Sequence, residues 1–217
     1  MKLVMASHYT YDCEQRLYNE EEERLTLAFE NLDHIPPSIT NHFSSTIKIL
    51  DLSHNNFSNL SFLQHFPMLT SLILDHNLVN SSTTFPTMQQ LKILWLNHNR
   101  ISQLFPFIQR LRTAFPSLIF LSLMANEAVP VNVDGSTFYQ HLQYRLFVVS
   151  WFLALEHLDD QPVTEDERME AHRLYKRPLL ERLINKEPVR KIAKSLSGVL
   201  GLVQRHNQSS GLKSSFV

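Results

Sequence analysis

The sequence predicts an α/β fold: a solenoid of about four to five stacked coils with a short curved parallel sheet, a helical C-terminal cap and a tail helix. Three observations predict it. An apolar pattern recurs at fixed spacing, a helix-capping signature follows its last copy, and a composition of 43% hydrophobic and 19% charged residues is that of a globular chain.

The pattern is L-x-x-L-x-L-x-x-N-x-L, a leucine-rich repeat. Ile47, Leu50, Leu52, Asn55 and Phe57 fit it, as do Leu69, Leu72, Leu74, Asn77 and Val79, and Leu91, Leu94, Leu96, Asn99 and Ile101. A looser copy is Leu118, Leu121, Leu123, Asn126 and Ala128, and a degenerate first copy is Leu25, Leu27, Glu30 and Leu32. The asparagines fall 22, 22 and 27 residues apart. Residues at the fourth and sixth positions flank one outward residue, so they share one face of a short strand and enter the core. Asparagine at the ninth position turns the chain inward, and its amide can satisfy backbone groups that the bend would strand. The return half of each coil is expected as short helix or 3₁₀ turns, ended by Pro67, Pro86 and Pro116.

No coil buries its apolar face alone, so both ends need caps. Residues 1–24, with the acidic run Glu20 to Glu23, read as an N-terminal cap, helical in part, or as a flexible segment. Residues 25–177 form the repeat domain with its C-terminal cap. Thr164 and Glu167 make the T-x-x-E capping box of a helix running to about Tyr175, with Pro178 as its limit, and this helix is expected to cover the edge of the final coil.

Composition narrows the function. Lys+Arg is 20 against Asp+Glu 21, too balanced for a chain built mainly to grip phosphates, so no nucleic-acid partner is expected. The single cysteine, Cys13, can form no internal disulfide and points to a reducing, cytoplasmic setting. The apolar run after Lys2 is too short for a signal peptide, and Leu146 to Leu155 is about half of a membrane span. The N-x-S sequons at Asn56, Asn59, Asn80 and Asn207 therefore read as accidents of an Asn- and Ser-rich repeat. Glycine is scarce, and no phosphate-cradling, H-x-x-x-H, C-x-x-C or G-x-S-x-G motif is present, so neither catalytic residues nor a cofactor is expected.

Strand residues outside the core should line the concave surface. Ile49, Asp51, Ile73, Asp75, His76, Ile93, Trp95, Asn97, His98 and Phe120 are the candidate partner-binding residues. A solvated face should be polar here, whereas Ile49, Ile73, Ile93, Trp95 and Phe120 fall on neighbouring strands about 4.8 Å apart. A tryptophan ringed by aliphatics is a hot-spot composition, unless the chain's own termini cover it. His54, His76 and His98 recur every 22 residues and should stack, with no carboxylate or cysteine cluster to complete a metal site. Their protonation is a possible route to weaker binding in acid.

Residues 178–206 are expected to be a linker and an amphipathic helix, with Val189, Ile192, Ala193, Leu196, Val199, Leu200 and Val203 at helical spacing. This basic helix suits packing on the domain, docking to a partner, or weak contact with anionic membrane. Residues 207–217 are expected to be a disordered tail. The tail ends in Ser215, Phe216 and Val217, a pattern similar to a terminal-carboxylate hook for a PDZ domain.

Tyr144-Arg145, Leu155, Leu158-Asp159, Val163-Thr164 and Glu167-Arg168 resemble the C-terminal cap of a subclass of intracellular leucine-rich-repeat proteins. The family pattern is Y-R-x-x-V-I, a proline, L-x-x-L-D, then V-T-x-x-E-R, and Leu153 stands here where the proline is usual. The group includes a spliceosomal A-prime subunit, acidic nuclear phosphoproteins and a phosphatase-1 regulator. Residues Leu50 to Phe57, Leu74 to Asn77 and the cap with its Trp151 most resemble a branch associated with melanocyte differentiation. That resemblance implies an adaptor for Rab-type small GTPases on melanosomes and other lysosome-related organelles. It also implies a link to an endosomal recycling complex, which could take the terminal hook. The wider group implies, as the alternative, an RNP-associated or phosphatase-regulatory scaffold.

Overall fold

In a computed structural model the described residues are 17–130 and 138–175. The chain divides into two compact units, residues 1–171 and 172–217. Of the second, only residues 172–175 are described, which include the last turn of a helix. Cys13, the helix expected over 188–205 and the terminal Ser215, Phe216 and Val217 lie outside the described residues.

The sheet has eight strands in sequence order. Strands β2 (Arg24–Thr26), β3 (Ile49–Asp51), β4 (Ser71–Ile73), β5 (Ile93–Trp95), β6 (Phe120–Ser122) and β7 (His157–Leu158) pair in parallel. The register sets Leu25, Leu50, Leu72, Leu94, Leu121 and Leu158 side by side, all fully buried. Leu27, Leu52, Leu74, Leu96 and Leu123, two residues on, are buried with them. This is the alternation expected of strands with one face in the core. The return segments include helix α1 (Pro37–Phe43), a 3₁₀ turn at Ser61–His65 and helix α2 (Leu104–Ala114), which is broken at Phe105 and Pro106. Phe57, Phe66, Phe107 and Phe115 fill the space between strands and returns.

The asparagines do more than turn the chain. The Asn77 amide donates to the Leu52 carbonyl of the preceding coil at 2.9 Å, and to Leu74 and Asp75 of its own coil at 3.2 Å each. Its Oδ1 accepts from Phe57 N–H at 2.9 Å. Asn55, Asn99 and Asn126 repeat the arrangement in the other coils, with Leu27, Leu74 and Leu96 as the accepting carbonyls of the preceding coil. Each amide thus satisfies backbone groups of two coils and fixes their stacking.

The two ends of the sheet close in similar ways. Glu20 to Glu23 form the turn of a hairpin between β1 (Tyr18–Asn19) and β2. The Asn19 side chain accepts from Glu21 N–H at 3.0 Å and so sets the turn locally. At the other end β8 (Gln161–Pro162) folds back antiparallel on β7, so a strand covers that sheet edge, where a helix was expected.

Helices α3 (Phe138–Trp151) and α4 (Glu165–Leu174) complete the cap. The capping box forms: Glu167 N–H donates to Thr164 Oγ1 at 3.2 Å and Thr164 N–H to Glu167 Oε2 at 2.9 Å. Glu167 also receives the buried Arg145 guanidinium at 2.6 and 3.1 Å, while Arg145 donates to the carbonyls of Leu158 and Pro162. Burial alone would lower the Arg145 pKa, but its bonds to Glu167 outweigh this and raise it. Burial opposes ionisation of Glu167, yet the bonds from Arg145 and Thr164 hold its carboxyl below the ordinary value. A buried charge so fully paired locks α3, the β7–β8 hairpin and α4 together.

Candidate functional site

The face of the sheet opposite the leucines carries two rows. One runs Arg24, Ile49, Ser71, Ile93, Phe120, His157 and the other Thr26, Asp51, Ile73, Trp95, Ser122. Ile49, Ile73, Ile93, Trp95 and Phe120 are all partly exposed there. Parallel pairing at register brings Trp95 and Phe120 to a ring-centroid distance of 4.6 Å at 34°. Phe120 in turn lies 6.1 Å from the His157 ring. The structure therefore gathers five of the candidate residues into one apolar and aromatic surface over β3 to β6.

Two candidates leave that set. Asp51 is 8% exposed and takes Arg24 Nη2 at 2.8 Å on one oxygen and Ser53 N–H and Oγ on the other. Asn97 is 6% exposed, takes the Ser122 hydroxyl at 2.6 Å and donates to Asp75. Alternation correctly placed both outside the leucine core, but side-chain hydrogen bonds across coils consume them. They hold neighbouring strands in register and present no free polar group to a partner.

Asp75 is half-buried, and its carboxylate accepts from Asn97 N–H at 2.8 Å and from the Asn97 amide at 3.2 Å. Burial raises its pKa, against the lowering effect of the Asn97 bonds and of nearby His76 and His98. His76 and His98 are exposed. With His54 they form a column whose successive centroids are 4.1 Å apart and whose planes differ by 13° and 10°. Desolvation and the two flanking imidazoles lower the pKa of His76, with Asp75 opposing them. Parallel stacking aims the ring nitrogens side by side and not toward a common centre. Among the described residues no group of three or more His, Cys, Asp or Glu is placed to hold a metal ion.

Three residues enter this surface unforeseen. Phe29 stacks on His54 at 4.0 Å and 12°, heading the column. Its position one before Glu30, matching His54 before Asn55, was the available signal, hidden because the first copy lacks its asparagine. His157 extends the aromatic row onto the sixth parallel strand, β7. Leu155 and Leu158 stand at the first and fourth repeat positions, but Asp159 and a hairpin replace the rest of the motif. Arg24, the last of the three, closes the polar end of the face against Asp51.

Parallel strands in sequence order, leucines stacked coil on coil and an asparagine bridging each pair of coils define a leucine-rich-repeat protein. The chain is similar to the human leucine-rich melanocyte differentiation-associated protein, with 38% identity over 130 residues. The match takes in 57% of this chain and 65% of that relative, just under two thirds of its length, and it agrees with the resemblance carried by the repeat and cap residues. No family model matches the chain. Among solved structures, a chain of the Drosophila melanogaster SNF/U2A' complex shares the fold, with a TM-score of 0.55 and 20% identity over 79% of this chain and 87% of that one. Among the described residues, no helix is long and apolar enough to cross a membrane.

Proposed function

We propose that this chain is a non-catalytic protein-interaction adaptor that docks a protein partner on the open face of its sheet. The observation that carries this reading is the partly exposed Trp95–Phe120 pair flanked by Ile73 and Ile93. Solvent-facing aromatic and aliphatic side chains on adjacent strands cost hydration free energy unless a partner covers them. Asp75, His76 and His98 border the patch and supply its polar rim. The docking module is the repeat domain of residues 25–177, and the segments 1–24, 178–206 and 207–217 lie to either side of it.

The partner class follows the resemblance to the melanocyte differentiation-associated protein. It is a Rab-type small GTPase, in melanosome and lysosome-related organelle biogenesis and endosomal trafficking. The terminal Ser215, Phe216 and Val217 are the corresponding hook for an endosomal recycling complex. The test is retention of the full chain on beads carrying Rab proteins loaded with GTP or GDP. GTP-loaded beads retain more, and equal retention counts against a GTPase effector. Trp95→Ala weakens retention by about 2 kcal/mol, roughly thirtyfold, with the melting temperature nearly unchanged. Full retention by that variant moves the docking surface elsewhere.

A further inference from the structure

We propose that the column of stacked rings ends in an open slot above Ala125, and that an aromatic side chain of the docked protein partner fills it. The inference rests on the docking reading above and names one anchor of that partner.

Phe29, His54, His76 and His98 stack at 4.0, 4.1 and 4.1 Å with planes within 13° of parallel. A repeated backbone places them. Phe29 N–H donates to the Ser53 carbonyl at 3.0 Å, and His54 N–H to that of Asp75, His76 N–H to that of Asn97 and His98 N–H to that of Met124, each at 2.9 Å. All four have positive φ, between 53° and 63°. The bond from His98 carries the register into the next coil, and Ala125, next after Met124, has φ 56°. Ala125 therefore occupies the column's fifth position with a methyl group where each earlier position has a ring. Ala125 is exposed, and among the described residues the only ring stacked on His98 is that of His76. The His98 face turned toward Ala125 is thus left without the stacking partner that both faces of His54 and His76 have.

The surroundings select the ligand. A planar ring entering one step beyond His98 would lie parallel to the column. Met124, 36% exposed, would lie beside it and offer a thioether for a sulfur–aromatic contact. Asp75 is close enough to influence His76 and His98, and exposed Glu127 stands just beyond Ala125. Both disfavour a base that brings its own phosphate, so the occupant is a Trp, Tyr or Phe side chain. His98 follows Trp95 by three residues, which bounds their separation at about 10 Å even for an extended chain, so a partner seated on the patch reaches the slot.

The experiment is a proton NMR titration of the full chain with N-acetyl-tryptophanamide, read at the imidazole carbon-bound protons. The chain has 11 histidines, so His54, His76 and His98 are assigned by single His→Gln substitutions. The His98 signals move upfield with added probe, while those of His54 and His76 move much less. In Ala125→His, which installs the residue type this backbone position already accepts three times, the His98 response disappears. In Ala125→Gly the response is kept. Partner retention on beads falls about two- to tenfold in Ala125→His, the range expected for one lost aromatic stack. Equal shifts at all three histidines, no shift at His98, or a larger response to adenosine monophosphate than to the tryptophan probe would overturn the proposal. Trp95→Ala separates the two readings, because it lowers partner retention roughly thirtyfold without touching the probe response.

Discussion

Positions eight and nine of the repeat are adjacent in sequence and have opposite fates. The ninth position builds a column of Asn55, Asn77, Asn99 and Asn126 behind the sheet, three of its members nearly buried and each bonded to backbone groups of two coils. The eighth builds a column of Phe29, His54, His76 and His98 in solvent, whose side chains touch mainly each other. The first column is held by hydrogen bonds that water cannot replace once the coil is closed. The second is tolerated by the backbone, at a left-handed φ that histidine adopts more readily than most residues. One period thus generates both a fastener and an exposed surface, and the difference lies in which side of the turn each side chain leaves.

The sharpest break in this comparison is Asn77→Ala. It strands Phe57 N–H and removes one of two donors from each of the Leu52, Leu74 and Asp75 carbonyls, which keep Asn55, Asn99 and His54 N–H, and we expect a loss of about 2–3 kcal/mol in urea denaturation. A loss under 1 kcal/mol would mean that water or a shifted coil replaces these bonds.

At the neighbouring position the backbone, not the side chain, should dominate. His76→Val puts a β-branched residue at φ 54° and should cost about 1–2 kcal/mol, whereas His76→Gly should stay within about 0.5 kcal/mol of the parent. Equal costs for the two would show that the ring stack, and not the turn, is what His76 supplies.

The smallest effect is that of pH. The folded pKa of His76 lies below its unfolded value of about 6.5. The unfolded chain therefore binds the proton first, so this contribution is complete above pH 6.5 and is lost as pH falls through the folded pKa. Asp75 and the two flanking imidazoles are the charged or titratable groups acting on it. The melting temperature of the parent should fall more than that of His76→Gln between pH 7.5 and 5.5, by less than the His76→Val effect. Parallel curves would place the acid sensitivity elsewhere. Nothing comparable is expected of the asparagine column, which does not titrate.

The apolar half of the candidate docking face could be read because Ile73, Trp95 and Phe120 obey strand alternation, which is local. The polar half could not. Whether Asp51 or Asn97 is free depends on Arg24, Ser53, Asp75 and Ser122, and three of these arrive from other coils. The N-terminal hairpin was not foreseen, because the pairing of Tyr18 with Leu25 is decided by the exposed edge of β2 and the acidic run between them satisfies helix propensity as well as a turn. Helix α3 was not foreseen as a helix, because its buried residues Tyr144, Arg145, Leu146, Val148 and Val149 leave no simple apolar stripe. The capping box of α4 was legible, since Thr164 and Glu167 meet within one helical turn.

By itself the sequence determined the coil. Leucines spaced for one face of a strand and an asparagine at each turn leave few other ways to bury the first and satisfy the backbone around the second. Only the tertiary structure decided which residues on the outer face remain available. Hydrogen bonds and ring stacks between coils join residues about 22 apart, and their formation depends on the register in which separate coils settle.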